Sequence, residues 1–187
     1  KIANEYKLVK KKIIKKLLYS KIHEERMLSL IILTNQYQKN KDKKKIYNFY
    51  LKHIKQINNW DLVDASCYKI IGHYIYKTKL QEIETLINLS NSDSLWKRRI
   101  SIVSTFYLIK KGIFFPTMKI SKKLLTDKES LIQKATGWML REVWKKNTKI
   151  TESFIINNYN KISRTTLRYS IEKMEEKKRK EFLKGVF

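Results

Sequence analysis

The 187-residue chain has one cysteine, one proline and four glycines. Each scarcity narrows what the chain can be. A single thiol, Cys67, forms neither an internal disulfide nor a Cys-rich zinc site, and it fits a reducing compartment. So few glycines and prolines leave little material for hairpin turns, which favours helices joined by short loops over a sheet of hairpins. No apolar run approaches the ~20 residues of a membrane-spanning helix, and no signal peptide is visible. The expected location is therefore the cytoplasm. Motifs are missing too. There is no Gly-rich phosphate loop and no Ser nucleophile motif, so nucleotide hydrolysis and acyl transfer have no support. His23, His53 and His73 share no metal-ligand spacing, and none has a nearby Cys or acidic cluster. Neither a metal nor a cofactor is expected.

Acidic residues are also scarce. Seventeen Asp and Glu face 42 Lys and Arg, giving a net charge of +25 and a pI near 10.0. Such a balance points to a polyanionic partner, nucleic acid first and an anionic membrane second. The chain is also rich in Lys, Ile and Asn, as A+T-rich coding produces, and composition alone accounts for part of the charge. Arginine discriminates better, because only seven occur: Arg26, Arg98, Arg99, Arg141, Arg164, Arg168 and Arg179. Where lysine fills most cationic positions, an arginine marks a place that needs the planar fork for phosphate or carboxylate. The basic runs Lys10–Lys16 and Lys177–Lys180 read as solvated helix faces.

What the chain does contain is helical periodicity almost throughout, with no lasting strand alternation. It predicts one all-α domain over residues 1–187, with helices at about 2–19, 23–38, 43–57, 60–77, 79–89, 93–111, 117–126, 129–146, 151–158, 161–174 and 176–184. Trp60, Trp96 and Trp138 each fall in a long helix, 36 and 42 residues apart. That spacing suits stacked helix pairs in a HEAT or armadillo-like superhelix, whose inner helices line a concave basic face.

Three helices carry the candidate site. In NNWDLVDASC, with Trp60 at zero and about 100° per residue, Val63, Cys67, Ile70, Ile71, Tyr74 and Ile75 form one packing arc. Asp64 falls inside that arc, while Ser66, Lys69 and His73 take the opposite face. A carboxylate among apolar side chains is costly unless paired, so Asp64 is either a functional anion or a structural partner for an arginine. Asp61, in the first turn, reads as structural. In LWKRRISIVST, Arg99 lies at the edge of the Trp96–Ile100–Val103–Tyr107 face, available to a phosphate or to Asp64, and Arg98 points elsewhere. In LIQKATGWMLREV the core stripe is Ile132, Met139, Leu140 and Val143. Trp138 lies off it, among Lys134, Arg141 and Lys145, either packed on a neighbouring repeat or set against nucleic acid. Near the C-terminus Lys161, Arg164 and Arg168 share a stripe, with Thr165 and Thr166 as further phosphate donors. Arg168 is also placed to pair with Glu172.

These four segments, NNWDLVD, LWKRRISIVST, LIQKATGWMLREV and RTTLRYSIEK, resemble in order and separation the DNA alkylation repair glycosylases of the AlkD type. The resemblance runs from about His23 to the C-terminus, and the family's N-terminal helices are expected to be shortened here. It implies a HEAT-like superhelix that grips duplex DNA and releases cationic N3- and N7-alkylpurines such as 3-methyladenine and 7-methylguanine. It implies that Asp64 matches the catalytic aspartate, that Trp60 and Trp138 frame the damaged nucleotide, and that Arg99 sits against the DNA backbone. Lys134, Arg141, Lys145, Arg98, Lys161, Arg164, Thr165 and Arg168 are then expected to contact DNA. The chain is expected to work as a monomer, associated with the nucleoid of a bacterial-type cell. A non-catalytic module of the same fold for distorted or branched DNA is the alternative. Trp144 stands where a smaller residue is expected.

The residue types suit that chemistry. An ordinary glycoside hydrolase needs a second carboxyl group to protonate a poor leaving group. An alkylated purine already carries positive charge and leaves neutral, so one carboxylate is enough to stabilise the oxocarbenium-like sugar and orient water.

Overall fold

A computed structural model describes residues 9–187; the predicted segment 2–8 lies outside the described residues. Helix α1 spans Lys11–Leu18, α2 His23–Lys39 and α3 Lys43–Lys52, with a single 3₁₀ turn at Ile54–Gln56. Helix α4 runs Trp60–Cys67, passes through a π-helical turn at Tyr68–Gly72 and continues as α5, His73–Lys77. Then follow α6 (Ile83–Ser90), α7 (Leu95–Lys110), α8 (Phe115–Leu124), α9 (Ser130–Trp144), α10 (Thr148–Asn157), α11 (Arg164–Ser170) and α12 (Glu176–Lys184). Among the described residues there is no strand.

Side-chain caps fix several of the starts. Asp42 accepts from the Lys45 amide, Asn59 from Trp60, Asn147 from Ile150 and Ser163 from Thr166. Two boundaries differ from the sequence reading for this reason. Helix α10 begins at Thr148 because Asn147 caps it at once, and α11 begins at Arg164 behind Ser163. Helix α6 starts later than expected because Lys79 and Leu80 adopt left-handed backbone, with φ of 51° and 68°.

The helices form two rows. The inner row is α2, the α4–π–α5 rod, α7, α9 and α11, each packed on the next. Its members begin at His23, Trp60, Leu95, Ser130 and Arg164, a repeat of roughly 35 residues of the kind seen in helical solenoids. The second row contains α6 and α8, packed on one another and on α7 and α9. The result is a helical-repeat superhelix. One core runs along the inner row through Leu33, Tyr50, Leu62, Ile71, Ile102 and Met139; a smaller one at the C-terminal end joins Ile155, Leu167 and Phe182. Trp144 packs on the smaller core, and its indole Nε1–H donates to Glu152 at 3.0 Å, which accounts for its size.

Two glycines set how closely the inner row packs. A Cβ on Gly72 would collide with the Ser104 carbonyl of α7, and one on Gly137 would lie 2.5 Å from Tyr169 Cβ and 2.6 Å from the Thr166 carbonyl of α11. One assignment is corrected. Ser66 does not share a solvent face with His73: it is fully buried, bonded to the Tyr50 hydroxyl and the Leu62 carbonyl, because α3 covers that side of α4.

Candidate functional site

On the inner row, α4, α7, α9 and α11 enclose a cavity of about 400 Å³ lined by Trp60, Asp64, Arg99, Leu131, Lys134, Ala135, Trp138, Arg141 and Tyr169. The nine come from four helices, and the six of them that the sequence singles out come from three.

Asp64 enters from the second turn of α4. Its carboxylate accepts two bonds from Arg99 of α7: Nε to Oδ1 at 3.0 Å and a terminal nitrogen to Oδ2 at 2.7 Å. The other terminal nitrogen of Arg99 donates to the Leu131 carbonyl of α9 at 2.6 Å. The fork is thus fully used, and the arginine side chain is only 7% exposed against 19% for Asp64. Of the two partners read for Arg99, a phosphate or Asp64, the structure shows Asp64. A desolvated carboxylate needs a bidentate partner, and Arg99 supplies it. Burial still wins in part: it raises the Asp64 carboxyl above its ordinary value, opposed by Arg99. Because the carboxylate is the more exposed member of the pair, the cavity faces an anion anchored from behind.

The two indoles occupy different settings. Trp60 is 54% exposed, so it does not pack on the arc that otherwise holds Val63, Cys67, Ile70, Ile71, Tyr74 and Ile75 as read. It opens α4, where no preceding turn covers it. A polar network ties α2 to the start of α4 beside it: His23 Nε2 lies 2.6 Å from Asp61, and Arg26 donates to Asn58. Trp138 lies off the core stripe of α9, as the wheel predicted, and leans on Phe106 of α7 with ring centroids 5.7 Å apart.

The expected DNA contacts divide. Lys134 and Arg141 line the cavity. Arg141 is also bonded to Glu172, which therefore does not pair with Arg168. Arg168 and Lys161 are exposed, and Thr165 is half-buried at the start of α11. Lys145 pairs with Glu142, and Arg164 donates to the Leu183 carbonyl. Two residues are corrected. Arg98 is bound to Asp127 at 2.6 Å and to the carbonyls of Ser92 and Asp93, where it ties the start of α7 to the loop after α8. Thr166 is buried and donates to the Gln133 carbonyl. Tyr169 was missed: it closes the cavity from a seven-residue helix too short to display a periodic face.

Among the described residues no group of His, Cys, Asp and Glu is placed to hold a metal ion, and no helix is long and apolar enough to cross a membrane. A family model described as DNA alkylation repair enzyme matches residues 1–174. The chain belongs to that family. Family membership makes DNA its partner and alkylation repair its setting. A solved structure described as a "predicted DNA alkylation repair enzyme from Enterococcus faecalis" is similar in fold, with a TM-score of 0.72 at 19% identity over 94% of this chain and 82% of that one. No curated protein sequence matches the chain.

Proposed function

We propose that this family member is a DNA glycosylase that hydrolyses the N-glycosidic bond of cationic N3- and N7-alkylated purines in duplex DNA. One observation carries the reading: a single anchored carboxylate, Asp64, faces a cavity walled by two indoles and rimmed by cations, with no second carboxylate lining it. That set suits a leaving group that needs no protonation. As the bond to the charged base breaks, positive charge moves onto the sugar. Asp64 stabilises that charge and orients the attacking water, and the partly buried setting of the carboxylate strengthens the effect. Arg99 holds the carboxylate in place and opposes the rise that burial imposes on its pKa. The π faces of Trp60 and Trp138 attract the cationic nucleotide, each by about 0.5–2 kcal/mol. Lys134 and Arg141 hold flanking phosphates. One chain supplies the whole cavity, so a monomer is sufficient.

The test is incubation of the protein with methylated duplex DNA and quantification of free 7-methylguanine and 3-methyladenine. Release above the uncatalysed rate is expected. A second reading has one observation in its favour: the Asp64–Arg99 pair is also what a purely structural ion pair looks like. Tight DNA binding without base release would establish that reading, a non-catalytic module for distorted or branched DNA.

A further inference from the structure

Beyond Phe106, on the side away from Trp138, the inner row holds a second cavity of about 290 Å³. It lies where the C-terminal ends of α2 and α7 meet the π turn, the first residue of α5 and the start of α3. Phe106 is the divider: its ring contacts Trp138 at 5.7 Å on one side and Tyr68 at 5.2 Å on the other. Both cavities therefore open on the same row of helices, one aromatic ridge apart.

The chemistry of this cavity is one-sided. Lys69 and Lys110 converge on the same ring, with their Nζ atoms 5.4 and 5.3 Å from the centre of Tyr68. Lys43 also lines it, and no carboxylate does. Elsewhere on the molecule Arg98, Arg99, Arg141, Lys145 and Lys178 each have an acidic partner. Lys69 and Lys110 have only aromatic faces. The surroundings of His73 are likewise cationic: burial and then the ammonium groups of Lys43, Lys77 and Lys111 push its pKa down.

Neutral donors complete the cavity. The Tyr37 hydroxyl lies 2.7 Å from His73 Nδ1. Burial raises the Tyr37 pKa, so the phenol stays protonated and donates, which leaves the proton of the neutral imidazole on Nε2. Among the described residues, no hydrogen-bond partner meets the hydroxyls of Tyr68 and Tyr107, which also line the cavity. Unpaired cations, unused O–H groups and an absence of acids form a receptor for a small, hydrogen-bond-accepting anion.

We propose that this cavity binds a backbone phosphate of the DNA duplex, across the Phe106 ridge from the damaged nucleotide. The assignment rests on the reading of the inner row as the DNA-binding face. A phosphate here supplies the missing counter-charge, accepts from the tyrosine hydroxyls and gives the duplex a second fixed point. The enzyme then sets the register of its substrate by two anchors rather than by contacts at the lesion alone.

Fluorescence anisotropy with an unmodified duplex tests it, because binding is read whether or not any base is released. Lys69→Gln/Lys110→Gln is compared with Lys119→Gln/Lys122→Gln, which removes the same charge from α8, a helix that lines neither cavity. The cavity variant is expected to weaken binding at least ~10-fold relative to that control and to reduce the slope of log K against log salt by about 1. Tyr68→Phe/Tyr107→Phe, which leaves charge unchanged, is expected to weaken binding by a few-fold. Equal affinity for the cavity variant and the charge control would overturn the proposal and leave the glycosylase reading intact. Failure of the wild type to bind DNA at all would overturn both. His73 imidazole NMR signals separate the sources of phosphate. Movement on titration with duplex supports the backbone assignment; movement with inorganic phosphate but not with duplex contradicts it.

Discussion

The two cavities of the inner row are opposites in how charge is managed. In the first, the central ion pair is bidentate and buried, and the cavity faces its anionic half. In the second, lysines and tyrosine hydroxyls share a space with no acid at all. A buried carboxylate without its arginine is an uncompensated charge; a lysine without a carboxylate can still reach water. The first cavity is thus complete as folded and suited to chemistry. The second is complete only when an anion arrives, and it is suited to grip.

Substitutions probe that contrast from both sides. The largest effect is expected from Arg99→Met, which strands Asp64. Loss of one partner of a buried pair costs about 3–5 kcal/mol, seen as a large fall in Tm. Lys69→Gln/Lys110→Gln in the second cavity should leave Tm unchanged or raise it, because uncompensated charge is removed. A comparable fall in both variants would erase the distinction. Next is Gly137→Ala. Its new methyl meets Tyr169 and the Thr166 carbonyl, so denaturant unfolding should show a loss of about 1–3 kcal/mol. Base release should drop with it, since α11 carries the Tyr169 wall of the cavity.

The pH profile isolates the first cavity. On the proposed mechanism base release needs ionised Asp64, and burial raises its pKa above the ordinary 3.8. Activity should therefore fall as pH drops through a value above 3.8, tenfold per unit on the acid limb. Duplex binding by the Asp64→Asn variant should lack that limb. A smaller effect is expected from Trp138→Leu, a loss of about 0.5–2 kcal/mol in transition-state binding of a cationic lesion. The smallest is Arg98→Gln. With Asp127 as its partner, Arg98 contributes to Tm but not to the salt dependence of DNA binding. A reduced salt slope in Arg98→Gln would restore it as a phosphate contact.

The sequence showed the repeat architecture because helical periodicity and tryptophan spacing are local signals. It showed Asp64 and Trp138 because each breaks the pattern of its own helix: a carboxylate on an apolar arc, an indole on a cationic stripe. It named Asp64 as one of two possible partners for Arg99 but could not choose, and it could not show where Arg98 goes, since those partners lie 35 and 29 residues away and are chosen by packing between helices. The exposure of Trp60 and the burial of Ser66 were missed for a related reason. A wheel sees one helix alone, whereas Trp60 has no covering turn and Ser66 is covered by Tyr50 of α3. The second cavity was invisible because its lysines and tyrosines come from helices whose ends meet only in the folded superhelix.

The most direct measurement sets base release beside DNA affinity for wild type and Asp64→Asn. The amide keeps the shape of the carboxylate and loses its charge. Release of 7-methylguanine should fall at least ~100-fold, while the Kd for duplex DNA is unchanged or tighter because one anion has left a face that meets phosphates. Release at the wild-type rate, or loss of binding in step with loss of activity, would contradict the role of Asp64 as the anion that stabilises the departing base's sugar.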